Sequence, residues 1–176
     1  WLCDYEGVAI FMDADIVVTG DIVELAAQSD GKSSVQVMQE QPRFEWASVM
    51  LFNCDQCKML TPDYIDDLEH QPLDLSWGTV GKITPEWNHC VGYMEQKQAK
   101  LYHYTQGLPC WPETQGLPED EYWQREFVEL TATVSWSELM LNSVHAPHVI
   151  KRMLLRYGIR VDAMAPKNVE AGEGRT

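Results

Sequence analysis

The run Gly-Val-Ala-Ile-Phe-Met at residues 7–12 is short, apolar and bounded by glycine, and it ends on two carboxylates one residue apart, Asp13 and Asp15. A Val- and Ile-rich run of this length fits a buried strand better than a helix, and such strands suit sheets covered on both faces. Side chains at i and i+2 of a strand share a face. If strand geometry persists to residue 15, the two carboxylates point the same way, and their repulsion is costly without a cation between them. Hard divalent ions accept carboxylate oxygen and commonly share their remaining positions with phosphates. The competing reading is ordinary turn chemistry after a strand, of which Thr19-Gly20-Asp21 is a further instance.

The chain has 176 residues, 45% of them apolar, enough for one core. We expect a single domain over residues 1–165, and a polar, disordered tail over 166–176. A net charge of −14 argues against nucleic acid as a partner, because that binding depends on neutralising phosphates with Lys and Arg. No basic segment leads into an apolar stretch, and no apolar stretch reaches bilayer length. A cytoplasmic location is therefore the expectation. Residues 147–157 are amphipathic with Lys151, Arg152 and Arg156, but three cations against the overall charge favour packing on the domain over membrane association.

Five cysteines, an odd number in a chain too large to need disulfide staples, point to a reducing compartment. Cys54-Asp55-Gln56-Cys57 has the spacing of half a zinc knuckle or a redox motif, but no second Cys-x-x-Cys follows it. We expect Cys54 and Cys57 to be unmodified thiols.

Further along, Asp21 is placed to cap a short helix to Ala27, with Leu25 facing inward. Residues 33–38 alternate around Val35 and Val37 as a strand, 42–46 read as a loop, and 47–53 as a second buried strand. Asn53 is placed to cap a helix near Cys54, and Thr61-Pro62-Asp63 starts another that runs to about Leu68. Residues 71–79 are irregular, and 119–130 read as an acidic, aromatic helix. His145-Ala146-Pro147-His148 has two imidazoles, but the proline interrupts the helical face such spacing exploits.

The stretch from Phe11 to Leu25, with its Asp-Ala-Asp, resembles the signature strand of retaining glycosyltransferases of the GT-A fold, in particular family 8 and the small bacterial glycosyltransferase-like proteins near it. The resemblance continues in Ala47-Ser48-Val49-Met50-Leu51-Phe52-Asn53, where Trp46 stands at a position usually Asn, and in the Trp87-Asn88 pair. It is completed by His103, Gly107 and Trp111, the Trp following the His by the family's eight residues. Gly107 lies four residues after His103 rather than three, and Pro109 occupies the place of the phosphate-contacting Lys, for which Arg43 is a possible substitute.

The resemblance implies a three-layer α/β GT-A-like fold, whose mixed sheet would include the strands near 7–12, 34–38, 47–52 and 99–104. It implies metal ligation by Asp13, Asp15 and His103, and donor contacts from Asp13, Ala14, Gly107 and Trp111. Relatives of this type place several strand–helix units before the Asp-x-Asp as the floor for base and ribose, so the chain is expected to be incomplete at its N-terminal side. An acidic residue that contacts the sugar in relatives makes Asp74 a catalytic candidate, against a solvated loop carboxylate. The implied activity is transfer of a sugar, with retention, from a nucleotide-diphosphate donor to a carbohydrate or glycolipid acceptor, with Mn²⁺ or Mg²⁺ as cofactor. Two alternatives stand beside it. One is a non-catalytic remnant or sugar-binding module of the same fold. The other is a haloacid dehalogenase-type phosphatase, whose Asp-x-Asp normally continues Gly-Thr where this chain has Ile16-Val17.

Overall fold

The computed structural model describes residues 3–147 apart from positions 41, 42, 68, 70, 71, 96, 97, 142 and 145. The expected tail, the amphipathic segment beyond residue 147, and both His145 and His148 therefore lie outside the described residues.

The apolar run forms β1 (Val8–Met12) as expected, but as an edge strand. Among the described residues it pairs only with the antiparallel β4 (Val49–Asn53), with Ile10 opposite Leu51. Beyond β4 lie β3 (Val35–Val37) and β5 (Val80–Lys82), the last pair parallel, so the sheet is mixed. Burial on both faces, expected of β1, is not what forms. Ile10 and Met12 pack on the core, while Val8 and Phe11 are 45% and 42% exposed. Phe11 lies on the face that an edge strand leaves open, whereas Val8 shares the face of Ile10 and Met12 and is exposed at the start of the strand.

A second correction concerns the strand expected near 99–104 in that same sheet. Residues Leu101–His103 form β7 in a separate three-stranded sheet, between β2 (Ile16–Val18) and β6 (His89–Cys90). Strand β2 was not anticipated. The chain turns at Ala14 and Asp15, so one apolar stretch supplies a strand to each sheet. In the second sheet β2 runs antiparallel to β7, with Ile16 opposite His103, and β6 runs parallel to it. The sheets share one core: Leu101 from β7 joins Leu25, Met38, Val49, Leu51 and the fully buried Trp87, with Met12 and Ile16 against them.

The helices follow their caps. Asp21 accepts from the Val23 N–H at 2.9 Å to start α1 (Ile22–Ala26), which buries Leu25 completely. Thr61 accepts from the Tyr64 N–H to start α2 (Pro62–Asp66), with Pro62 at its first position. Helix α3 (Asp120–Thr133) lies against the second sheet through Tyr122, stacked on Tyr102 at 4.2 Å between centroids. A short α4 (Trp136–Met140) follows. Asn53 makes no capping bond. Its amide donates instead to the Ser33 carbonyl and, at 3.2 Å, to Asp30.

Asp30 organises the turn into β3 by accepting from the N–H groups of Lys32 and Ser33, each at 2.8 Å, and from the Ser33 hydroxyl at 2.6 Å. The Ser33 hydroxyl first, then these backbone donors, hold its pKa at about 2, below the usual 3.8. The folded-state value is depressed, so the contribution to stability is present above the unfolded pKa and is lost as pH falls from about 4 toward 2. Asp30→Ala is expected to cost about 1 kcal/mol at pH 7, modest because the site is exposed, and less at pH 3. Urea unfolding at the two pH values measures this; an equal cost at both would contradict it.

Candidate metal centre

Asp13 leaves β1 with its N–H donating to the Ser48 carbonyl at 2.9 Å, which fixes the strand end against the segment before β4. Asp15 immediately precedes β2, and its carbonyl accepts from the Tyr104 N–H at 2.9 Å, which continues the ladder beyond His103. His103 closes β7 and is 1% exposed. One donor atom from each of Asp13, Asp15 and His103 can be chosen so that all lie within 4.8 Å of one another. The expected trio is thus assembled, from the junction of two sheets rather than from the edge of one.

Neighbouring residues hold the imidazole in a defined state. The Asn88 side-chain N–H₂ donates to the Glu45 carbonyl at 3.0 Å, an atom that only accepts, so Asn88 turns its Oδ1 toward His103. That oxygen lies 3.2 Å from Nδ1 and can only accept, which puts the imidazole proton on Nδ1. In the neutral ring Nε2 then carries a lone pair, and it faces the Asp15 Oδ1 at 3.3 Å. Two acceptors face each other across that gap, so a proton or a cation belongs between them. The Glu45 carboxylate stands 3.8 Å from Nδ1, held by the Ser48 hydroxyl at 2.6 Å and by the Thr105 hydroxyl. A carboxylate on that side of the ring gives the Nδ1 proton a second acceptor and helps fix the ring's orientation.

The local charge also asks for a cation. Burial raises the pKa of Asp13 above its ordinary value; His103 draws it down, and the negative charge of Asp15 and Glu45 adds to the rise while Ser48 opposes it. Two carboxylates and an imidazole nitrogen are a donor set that Mn²⁺ or Mg²⁺ accepts, nitrogen being the more compatible with Mn²⁺. Keeping such groups together without an ion costs stability. Asp13→Asn is therefore expected to raise the Tm of the metal-free protein by roughly 2–4 °C while weakening Mn²⁺ binding. Calorimetry with and without Mn²⁺ tests the pairing of these effects, and a lowered metal-free Tm would count against it.

The remaining sequence-based candidates are spread more widely. Ala14 lies in the turn between the two aspartates. Gly107 has φ of +115°, a conformation that favours glycine, and a Cβ there would meet the Thr114 methyl at 3.1 Å. It lines a concavity with Tyr104, Glu113 and Gln115. Trp111 packs on the small cluster of Cys110 and Phe127. Asp74 is exposed and accepts from the Ser76 N–H at 2.7 Å, in an ordinary turn. The Arg43 guanidinium stands over the Trp46 ring, 5.2 Å from its centroid. The cysteines are free thiols. Burial pushes Cys57 up to about 11 and Cys90 to about 12, which keeps both protonated near neutrality.

Sequence reasoning missed Glu45, and it took Asn88 into the resemblance without assigning it a role. Glu45 sits in a short 3-10 helix, Arg43–Ser48, where the i,i+3 relation brings it to Ser48; Glu-x-x-Ser was the available signal. Among the described residues, no helix is long and apolar enough to cross a membrane.

No family model matches the chain. Protein CDI of Arabidopsis thaliana is 27% identical to it over 157 residues, covering 73% of this chain; the chain spans 61% of that relative's length. Among solved structures, an active-site mutant of LgtC is similar over 69% of this chain and 61% of its own, at 10% identity and a TM-score of 0.46. The galactosyltransferase LgtC in complex with donor and acceptor sugar analogues is similar over 73% of this chain and 62% of its own, at 12% identity and a TM-score of 0.42.

Proposed function

We propose that the chain is a metal-dependent glycosyltransferase of the GT-A type, with a three-layer α/β architecture, that moves a sugar from a nucleotide-diphosphate donor to an acceptor hydroxyl with retention of configuration. The observation that carries this reading is the convergence of Asp13, Asp15 and His103 within 4.8 Å, in an Asp-Ala-Asp context that resembles family 8. A divalent ion held there, Mn²⁺ or Mg²⁺, supplies Lewis-acid stabilisation of charge on the departing diphosphate.

The chain's own residues do the rest. Asp13 and Asp15 lend the site negative charge that only a cation can bring beside an anionic donor. His103 presents Nε2, because Asn88 and Glu45 fix its proton on Nδ1. Its near-complete burial keeps the ring from rotating away. Donor contacts from Ala14, Gly107 and Trp111 belong to the same proposal, as does a cytoplasmic location, which suits free thiols.

The test is binding followed by turnover. Mn²⁺ titration monitored by electron paramagnetic resonance is expected to show one site, and a nucleoside diphosphate is expected to bind only with the metal. Nucleotide binding that ignores Mn²⁺ would remove the reading. Pro109, where the resemblance places a phosphate-contacting Lys, favours one second reading: a module that binds metal and donor without transferring the sugar. Release of nucleoside diphosphate from a panel of sugar donors separates the two.

A further inference from the structure

The sequence placed no significance on Cys3, yet its Sγ lies 3.3 Å from that of Cys54, across a separation of 51 residues. A disulfide needs about 2.05 Å between sulfurs, so a small rotation of the exposed Cys3 side chain closes the gap. The approach is imposed by the backbone. Cys3-Asp4-Tyr5-Glu6 is a tight turn, with the Glu6 N–H donating to the Cys3 carbonyl at 3.0 Å. Both central residues have positive φ, 52° for Asp4 and 57° for Tyr5, the conformation of a type I′ turn that glycine and asparagine ordinarily occupy. A side chain such as Tyr adopts it only where other contacts hold it there.

Here the Tyr5 hydroxyl donates to the Leu60 carbonyl at 3.3 Å, and the Cys54 N–H donates to the Gly7 carbonyl at 3.0 Å. Together they lay the turn over a largely apolar cleft whose lining includes Ala9, Phe52, Cys54, Cys57 and Ile65. Cys57 is committed elsewhere: its thiol faces the carbonyls of Ser34 and Asn53 at 3.2 and 3.3 Å.

We propose that Cys3 and Cys54 are a modification site that oxidises to a reversible disulfide, clasping the turn at residues 3–6 onto the end of β4. The oxidant class is a hydroperoxide. The exposed Cys3 thiolate attacks a peroxide oxygen and breaks the O–O bond, giving a sulfenic acid and hydroxide, which takes up the proton the Cys3 thiol had released and becomes one water. The Cys54 sulfur then attacks the Cys3 sulfur, and the displaced hydroxide takes the Cys54 thiol proton and leaves as a second water. Two thiols lose two electrons and one hydrogen peroxide gains them. A small thiol such as glutathione reverses the step by exchange. Burial, with Cys3 beside it, pushes the Cys54 thiol up to about 11, so Cys3 meets the oxidant first and Cys54 resolves it. The clasp secures β1, the edge strand that delivers Asp13, without touching the metal ligands.

The experiment uses the full chain and hydrogen peroxide, read by intact mass, peptide mapping and thermal unfolding. The expected product has lost two hydrogens, carries a Cys3–Cys54 cross-link, and titrates three thiols rather than five. Closing a loop of this length is expected to raise the Tm by roughly 5–15 °C, and dithiothreitol should return it. Cys3→Ser, a change at an exposed position, should abolish both the cross-link and the shift while leaving Mn²⁺ binding unchanged. A Cys54–Cys57 bridge, oxidation of Cys3 to the sulfinic acid without a bridge, or five thiols remaining after treatment would each overturn the proposal. Because the mass, the peptide map and the thermal shift that decide the disulfide involve neither metal nor nucleotide, failure here and failure of the glycosyltransferase reading are separate results.

Discussion

His103→Ala is expected to weaken Mn²⁺ binding by roughly 100-fold or more, since even residues that only orient a metal-bound imidazole are worth about 10–100-fold. Asp15→Asn should have a comparable effect for a different reason. The amide keeps an oxygen but loses the charge, and a hard cation held by few protein donors depends on that charge. Binding of a nucleoside diphosphate should fall in parallel if the ion carries the phosphates. The two substitutions differ in what they do to the fold. Asp15 is partly exposed, with its side chain at 38%, so Asp15→Asn should leave unfolding close to that of the parent. His103 is 1% exposed between its neighbours, and its removal opens a polar cavity beside Asn88 and Glu45. Isothermal titration with Mn²⁺, run well below the Tm of each variant, separates lost ligation from lost structure. Unchanged affinity in folded Asp15→Asn would remove Asp15 from the site.

How far the sequence could be read follows from how local each signal was. Asp21 and Thr61 announced their helices because a cap acts within three residues, and both cap as expected. Asp13, Asp15 and His103 were singled out through the family resemblance, the Asp-x-Asp and the eight-residue step from His103 to Trp111 carrying it, and the fold brings the three together. The sheet that holds them was not legible. The sequence marked one strand near 7–12 ending on the two carboxylates, and Asp13-Ala14-Asp15 contains neither Gly nor Pro, the residues that usually announce a break before a new strand. The division into β1 and β2 is enforced by long-range pairing: Met12 opposite Val49 in one sheet and Ile16 opposite His103 in the other. The same limit hid Glu45, whose partners Ser48, Thr105 and His103 include two about sixty residues away. Asn53 illustrates the converse. A good local cap was available, and the tertiary bonds to Ser33 and Asp30 took its side chain instead.

Asn88 carries the other large effect, because it touches no proposed ligand of the metal except through His103. Its side chain is fully buried and spans two groups, donating to the Glu45 carbonyl and accepting from the His103 Nδ1–H. In Asn88→Ala the Glu45 carbonyl loses its donor and the His103 N–H its nearest acceptor, at a cost of about 1–3 kcal/mol of stability. The larger consequence is for tautomer choice. Without the Oδ1 acceptor, the proton on Nδ1 is no longer required, and the tautomer that blocks Nε2 becomes accessible. Mn²⁺ affinity is then expected to fall by about 10–100-fold in protein that remains folded. Glu45 sets the size of the loss. Its carboxylate, 3.8 Å from Nδ1, is the acceptor to which the freed N–H can turn. Glu45→Gln alone should therefore cost little, since Asn88 still fixes the proton. Asn88→Ala with Glu45→Gln should cost more than the two single effects combined, because the second substitution replaces the charged substitute acceptor with a neutral amide, half of whose polar face donates. A merely structural Asn88 would lower the Tm and leave the Mn²⁺ affinity of the folded protein unchanged, and its effect would add simply to that of Glu45→Gln. The double-variant cycle measured by Mn²⁺ titration thus decides whether these two residues act on the metal through the imidazole or only support the fold around it.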